Sequence, residues 1–278
     1  MQAVRAAGFS SALISYEELV NGNVAQALKF VKESDIQVSG VYRGWMLTPL
    51  QYEALYTGLL QKNIRLVNIA EEYLHTHYLP ASYSKIRSKA PVTKWLPVEG
   101  NVERNKVLSI TQEFGDHPII IKDYVKSEKH YWEETCFIPI AFDQDNVQEV
   151  ITRFLALRGD SLNEGLVFRA FEELEYLTRH SQSGMPLTKE FRLFFAHRKL
   201  VGIYPYWSEG KYGDTETDLS DFLQIAETID SRFFSMDIAQ KKNGEWVIIE
   251  LGDGQVTGLP DQADKFLFYE KLYAILSR

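Results

Sequence analysis

The sequence predicts a mixed fold, an α/β portion followed by an α+β portion, and three observations lead there. A capped helix over residues 48–63 runs straight into an apolar strand at 64–69. A second apolar strand and a long amphipathic helix fill the middle. From residue 165 onward, strands follow one another with one closing helix. A chain of 278 residues suffices for one large domain or two to three small ones, burying about three quarters of its unfolded surface.

Taken in order, MQAVRAAGF reads as the tail of a helix feeding a strand SALIS (11–15). No strand precedes it, so an N-terminal α/β domain lacking its first strand is expected. Val41 and Tyr42 end the next strand, and Arg43, Gly44 and Trp45 fall in the loop after it. Thr48, Pro49 and Gln51 supply a cap, a first-turn proline and a capping-box partner; Tyr52, Leu55, Tyr56, Leu59 and Leu60 follow at helical spacing toward an end near Asn63. IRLVNI (64–69) is then a buried strand of a parallel layer. A second part begins between Pro91 and Pro97. It holds the strand PIIIKDY (118–124) and a helix with Val147, Val150, Ile151, Phe154 and Leu155 on one face, capped by Asp145 or Asn146 and ended by Gly159. The strands GLVFRAF, EFRLFFA and KLVGIYPYW come next. Asn243-Gly244 is the strongest short-range hairpin signal and sets Lys242 against Glu245 across a two-residue turn. A final helix shows Phe266, Tyr269, Leu272, Tyr273 and Leu276. No internal repeat, low-complexity tract or long linker interrupts this order.

Composition excludes several classes. The formal charge of −8 and the lack of a basic stripe argue against a nucleic-acid partner. Cys136 is the only cysteine, so no internal disulfide can form, and no apolar run approaches the roughly 20 residues a bilayer span needs. A cytoplasmic protein with no membrane partner is expected.

Three constellations carry chemistry. Stepping outward from the Asn-Gly turn brings Asp237 opposite Glu250. Like charges so placed are destabilising unless a cation lies between them. A divalent ion such as magnesium, held by one or two carboxylates with phosphate oxygens and water, is the candidate, against two solvated acids on an open face. In IIIKDYVKSEKH, Lys122 ends a buried strand and Lys126, Ser127 and Lys129 follow in a loop, either a phosphate site or a surface lysine cluster. In KEFRLFF, Glu190 and Arg192 alternate with apolar residues and so share one strand face. That arrangement suits a ribose hydroxyl and a phosphate, or a plain salt bridge.

Together these segments resemble the ATP-grasp superfamily over nearly the whole chain, and YRGWML, KDYVKS and ELGDGQ look most like a bacterial and phage clade marked by an arginine and two lysines. The resemblance implies a Rossmann-like pre-ATP-grasp domain at 1–92, a lysine-bearing subdomain at 93–171 and a carboxylate-bearing subdomain at 172–278. It implies that Lys85, ahead of Pro91-Val92-Thr93, and Lys122 with Ser127 contact ATP, that the backbone from Arg169 to Phe171 reads adenine, and that Glu190 holds ribose. Lys122, Lys126 and Arg192 would act on the phosphates, and Asp237 and Glu250 would hold magnesium. The family places an asparagine two positions after that glutamate; here Gly252 stands there, and Asp253 is expected to complete the metal set. Arg43, Trp45 and Lys129 are expected to meet the second substrate. The implied activity is ATP- and Mg2+-dependent ligation of a small-molecule or peptide carboxylate to an amine through an acyl-phosphate, with ADP and phosphate released. A phosphotransferase and a non-catalytic nucleotide-binding regulatory module are the alternatives.

Overall fold

The computed structural model describes residues 1–128, 131–182, 184–213 and 218–277. Its strands are β1 (Val38–Gly40), β2 (Ile64–Leu66), β3 (Thr93–Pro97), β4 (Ile119–Asp123), β5 (Phe137–Ile138), β6 (Gly165–Ala170), β7 (Tyr176–Arg179), β8 (Pro186–Thr188), β9 (Glu190–Ala196), β10 (Lys199–Pro205), β11 (Phe233–Gln240) and β12 (Trp246–Asp253). Two compact units divide the chain. The first comprises Met1–His77, Glu175–Gln240 and Glu250–Arg278; the second comprises Tyr78–Leu174 and Lys241–Ile249. The expected subdomain 93–171 lies wholly inside the second.

In the first unit, β1 and β2 run parallel, with Val38 beside Ile64. The helix Pro49–Leu60 between them starts as its sequence dictates. The Thr48 hydroxyl accepts from the Gln51 amide while the Gln51 side chain accepts from the Thr48 amide. Tyr52, Leu55 and Leu59 are buried, and Tyr52 stacks on Tyr73 with ring centroids 4.0 Å apart. The segment 11–15, expected as a strand, forms none. Leu13 is exposed, and Ser15 instead caps the short helix Tyr16–Val20 by accepting from the Glu18 amide. A five-residue apolar run needs a partner edge, and this one meets a helix start.

The larger sheet of this unit has the order β10-β9-β11-β12. Phe194, Phe195, Phe233 and Phe234 are all fully buried, so both sheet faces are covered, and Phe195 stacks on its cross-strand partner Phe234 at 5.0 Å. Each such side chain contributes roughly 1.5–3 kcal/mol of burial. Asp264 caps the closing helix Lys265–Leu276 by accepting from the Phe266 and Leu267 amides. Its buried stripe is Phe268 and Leu272, whereas Phe266 is exposed and Phe268 packs edge-on against Phe194. The expected face was wrong in phase, because KFLFYEKLYAIL is apolar almost all round and periodicity alone leaves the phase open.

In the second unit, the sheet order is β3-β6-β4-β5. The helix Gln144–Arg158 supplies Val147, Val150, Ile151 and Phe154 to the same core as Ile119, Ile121 and Phe168. Its cap is Asp143, which accepts from Asn146, rather than either expected residue, and Gly159 closes it at φ +45°. The Asn-Gly turn also differs from expectation. Lys241 donates to the Glu245 carbonyl at 2.7 Å and Gly244 to the Lys241 carbonyl at 2.9 Å, so the loop has three residues and Lys241, not Lys242, faces Glu245. Of the two turn residues only Gly244 takes positive φ, because the Asn243 side chain accepts from the Glu245 amide and keeps its own backbone out of that region.

Candidate functional site

The β9–β11 register sets Arg192 directly opposite Asp237. Adjacent strands bring facing side chains within reach, and here they close a bidentate pair. Arg192 Nε donates to Oδ1 at 2.7 Å and Nη2 to Oδ2 at 2.6 Å. Nη1 reaches the Gly258 carbonyl at 3.0 Å, and the guanidinium lies 4.6 Å from the centre of the Tyr206 ring. Burial alone would depress the arginine pKa, but Asp237, Tyr206 and Glu250 together raise it. The cation demanded by two neighbouring acids is therefore supplied by the chain itself: Arg192 stands beside both Asp237 and Glu250. Open-end bonds from the Gly254 amide to the Phe233 carbonyl and from Ser235 Oγ to the Gly252 carbonyl keep that end of the β11–β12 pair in the expected step.

Asp253 does not complete a metal set. It is wholly buried and accepts from the Asn68 side-chain amide and the Gln255 backbone amide at 2.9 Å, while Asn68 also bonds the backbone of Phe233. Tyr52 joins through the Gln255 side chain at 2.6 Å. Burial pushes the Asp253 carboxyl up to about 7 against the lowering pull of Asn68, Gln255 and Arg43. Its oxygens are committed to joining β2, β11 and the turn after β12. Among the described residues no group of three or more His, Cys, Asp or Glu could hold a metal. Two carboxylates remain, and magnesium takes one or two beside phosphate oxygens, so Asp237 and Glu250 fit that donor chemistry without Asp253.

The other expected residues fall as follows. In the first unit, the Glu190 carboxylate accepts from the Thr188 hydroxyl and from Trp207 Nε1 at 3.3 Å. Arg43 donates to the Gly254 carbonyl, and Trp45 is 71% exposed. In the second unit, Lys122 is buried in β4, Lys126 is exposed, Ser127 and Phe171 are half-buried, and Lys85 sits half-buried in the helix Leu79–Ile86. The Arg169 guanidinium grips the Ile248 and Ile249 carbonyls, and the Phe171 amide donates to Pro118 at 2.9 Å, so that donor is taken rather than offered to adenine. Lys129 lies outside the described residues.

One residue that sequence reasoning missed governs the lysine loop. Asp123, fully buried beside Lys122, accepts the Val125 and Lys126 amides on Oδ1; on Oδ2 it accepts Arg158 at 2.7 Å and both the backbone and side-chain nitrogens of Asn163. Arg158 also reaches Glu128 at 3.0 Å. Two loop amides expected for phosphate therefore turn inward. An Asp at the head of a polar loop is the signature of such a turn, and it was legible. A cavity of about 310 Å³ opens in the first unit beside Arg192, walled by Tyr206, Trp207, His180, Glu209 and Asp261.

This architecture is that of the ATP-grasp proteins. A RimK domain protein ATP-grasp from Sphaerobacter thermophilus DSM 20745 is similar at TM-score 0.54 and 14% identity, with 87% of this chain and 81% of that chain covered. An N5-carboxyaminoimidazole synthetase from Staphylococcus aureus, solved with ADP, is similar at 0.53 and 9%, covering 86% and 60%. A third is the N5-carboxyaminoimidazole synthase of Aspergillus clavatus, solved with ADP and 5-aminoimidazole ribonucleotide, at 0.53 and 11%, covering 92% and 62%. Identities this low speak for the fold alone. The family is more specific: the chain belongs to family 3 of the ATP-grasp domain clade named for an arginine and two lysines, whose model matches residues 113–272. No curated protein matches it. Among the described residues no helix is long and apolar enough to cross a membrane.

Proposed function

We propose that this protein is an ATP- and magnesium-dependent carboxylate–amine ligase. The observation that carries the reading is the charge arrangement of an ATP-grasp chain: buried Lys122 on β4, and Arg192 beside Asp237 and Glu250 on the strands of the other unit. Lys122, with Lys85 and Ser127, binds nucleotide phosphates, and the β6 end from Arg169 to Phe171 with Glu190 positions the nucleoside. Asp237 and Glu250 hold magnesium, which when bound neutralises charge on the transferring phosphoryl group. The substrate carboxylate oxygen attacks the γ-phosphorus and ADP leaves; the amine nitrogen then attacks the acyl carbon, phosphate leaves and the nitrogen loses a proton. No protein nucleophile is needed, so Lys122, Lys126 and Arg192 act by electrostatics and positioning.

The test is a screen of amino acids and peptides for magnesium-dependent ADP release with hydroxylamine present. A hydroxamate supports the ligase reading, because hydroxylamine traps an acyl-phosphate. ADP release with a stable phosphorylated product and no hydroxamate identifies a phosphotransferase. The closed Arg192–Asp237 pair favours a second reading, a nucleotide-binding regulatory module, which nucleotide binding without ADP release from any mixture would establish.

A further inference from the structure

The insertion between β6 and β9 is the part of the sequence that nucleotide chemistry leaves unused. It folds as the β7–β8 hairpin and is fastened at its tip. Glu209 accepts from the Ser181 amide at 2.7 Å and its hydroxyl at 3.0 Å, with His180 Nε2 at 3.7 Å. Across the opening, the Gln262 side chain donates to the Ser208 carbonyl at 2.6 Å and ties the segment after Gly258 to the segment after β10. The hairpin and these two segments enclose the 310 Å³ cavity, at the small end of the range for small-molecule sites.

Its chemistry is selective. Tyr206 and Trp207 form an aromatic wall, and Leu187, Leu259 and Pro260 an apolar one. The positive charge of Arg192 is matched by Asp237, and that of His180, when protonated, by Glu209. Asp261 lines the cavity, is exposed, and makes no hydrogen bond or ion pair among the described residues. An unmatched carboxylate beside aromatic faces attracts an ammonium group and repels a carboxylate.

We infer that this cavity binds the amine substrate: a primary ammonium ion with a small apolar side chain, as at the amino end of an amino acid or peptide. The assignment rests on the ligase reading for its role in turnover, but not for the binding itself. It makes the β7–β8 hairpin the element that selects the amine.

Calorimetric titration without nucleotide or magnesium tests it, using L-leucinamide, which carries the ammonium group alone, and N-acetyl-L-leucine, which carries the carboxylate alone. L-Leucinamide should bind and N-acetyl-L-leucine should not. Asp261→Asn should weaken L-leucinamide binding about tenfold or more, the loss expected for one charged contact, with the melting temperature unchanged. Trp207→Leu should weaken it as well. Tighter binding of N-acetyl-L-leucine, an unaltered affinity in Asp261→Asn, or no binding of L-leucinamide overturns the inference. Because nucleotide is absent, failure of the ligase reading leaves this result standing, and ADP release without L-leucinamide binding sinks this inference alone.

Discussion

Removing the Asp237 side chain strands the Arg192 guanidinium, which is only 15% exposed, among apolar strands. Breaking one side of a buried pair is costly because the surviving charge stays desolvated, so Asp237→Ala should destabilise the fold by about 3–5 kcal/mol in urea unfolding. Replacing both partners, Arg192→Met with Asp237→Leu, should recover most of that loss. If Asp237→Ala were as stable as wild type, the pair would have to be solvated rather than buried. Asp253 gives a second residue-level expectation. Its carboxyl titrates near 7 in the folded chain against an ordinary value of 3.8, so between those limits the folded state holds a proton that the unfolded state has lost. The resulting stabilisation is complete below about pH 4 and disappears as pH rises through about 7, to a total on the order of 4 kcal/mol. Asp253→Asn should flatten that part of the stability profile, and urea midpoints at either end compare the slopes. A variant with the wild-type slope would place the titration elsewhere.

The strand-to-loop element at 119–128 depends on one carboxylate. Asp123 holds two loop amides and ties the loop to Arg158 and Asn163, so its shape follows from a local polar network more than from apolar packing. Asp123→Asn keeps the size but turns one acceptor into a donor facing Arg158. The Val125 and Lys126 amides should then exchange with solvent at least about tenfold faster, the equivalent of one lost hydrogen bond to a charged group, while β6 keeps its protection. Hydrogen exchange followed by mass spectrometry reads this directly, and unchanged loop protection would assign the loop's order to another contact. The Asn-Gly hairpin illustrates the same point. The dipeptide announced a turn, but the side-chain bond from Asn243 to the Glu245 amide selected a three-residue loop over the two-residue one.

At the scale of the whole molecule, a nucleotide that binds only the folded chain must stabilise it by mass action, about 2.7 kcal/mol when free ligand is 100 times the dissociation constant. Under the proposed function, a nonhydrolysable ATP analogue with magnesium should raise the melting temperature of wild type. Lys122→Ala should weaken analogue binding by roughly 10- to 150-fold, as loss of a charge-assisted contact implies, and the melting shift should shrink with it. An unchanged dissociation constant would move the phosphate contact away from β4.

The sequence by itself determined the local elements: the capped helix at 48–60, the strands β4, β6, β9 and β10, the turn at Asn243-Gly244 and the charged residues worth watching. These follow from spacing, caps and turn chemistry, which act over a few residues. Its failures were of phase and partner: the stripe of the closing helix, the absent strand at 11–15 and the cap at Asp143. Only the tertiary structure decided which charge meets which. Arg192 and Asp237 are 45 positions apart and meet because β9 and β11 pair in one register; Asn68 and Asp253 are 185 apart and meet through a buried turn. Period-two alternation tells a side chain which face of its strand it occupies, but not which strand will lie alongside. That choice is made by burial of phenylalanine on both faces of the sheet, and the pairing it selects turned two opposed acids into an arginine site.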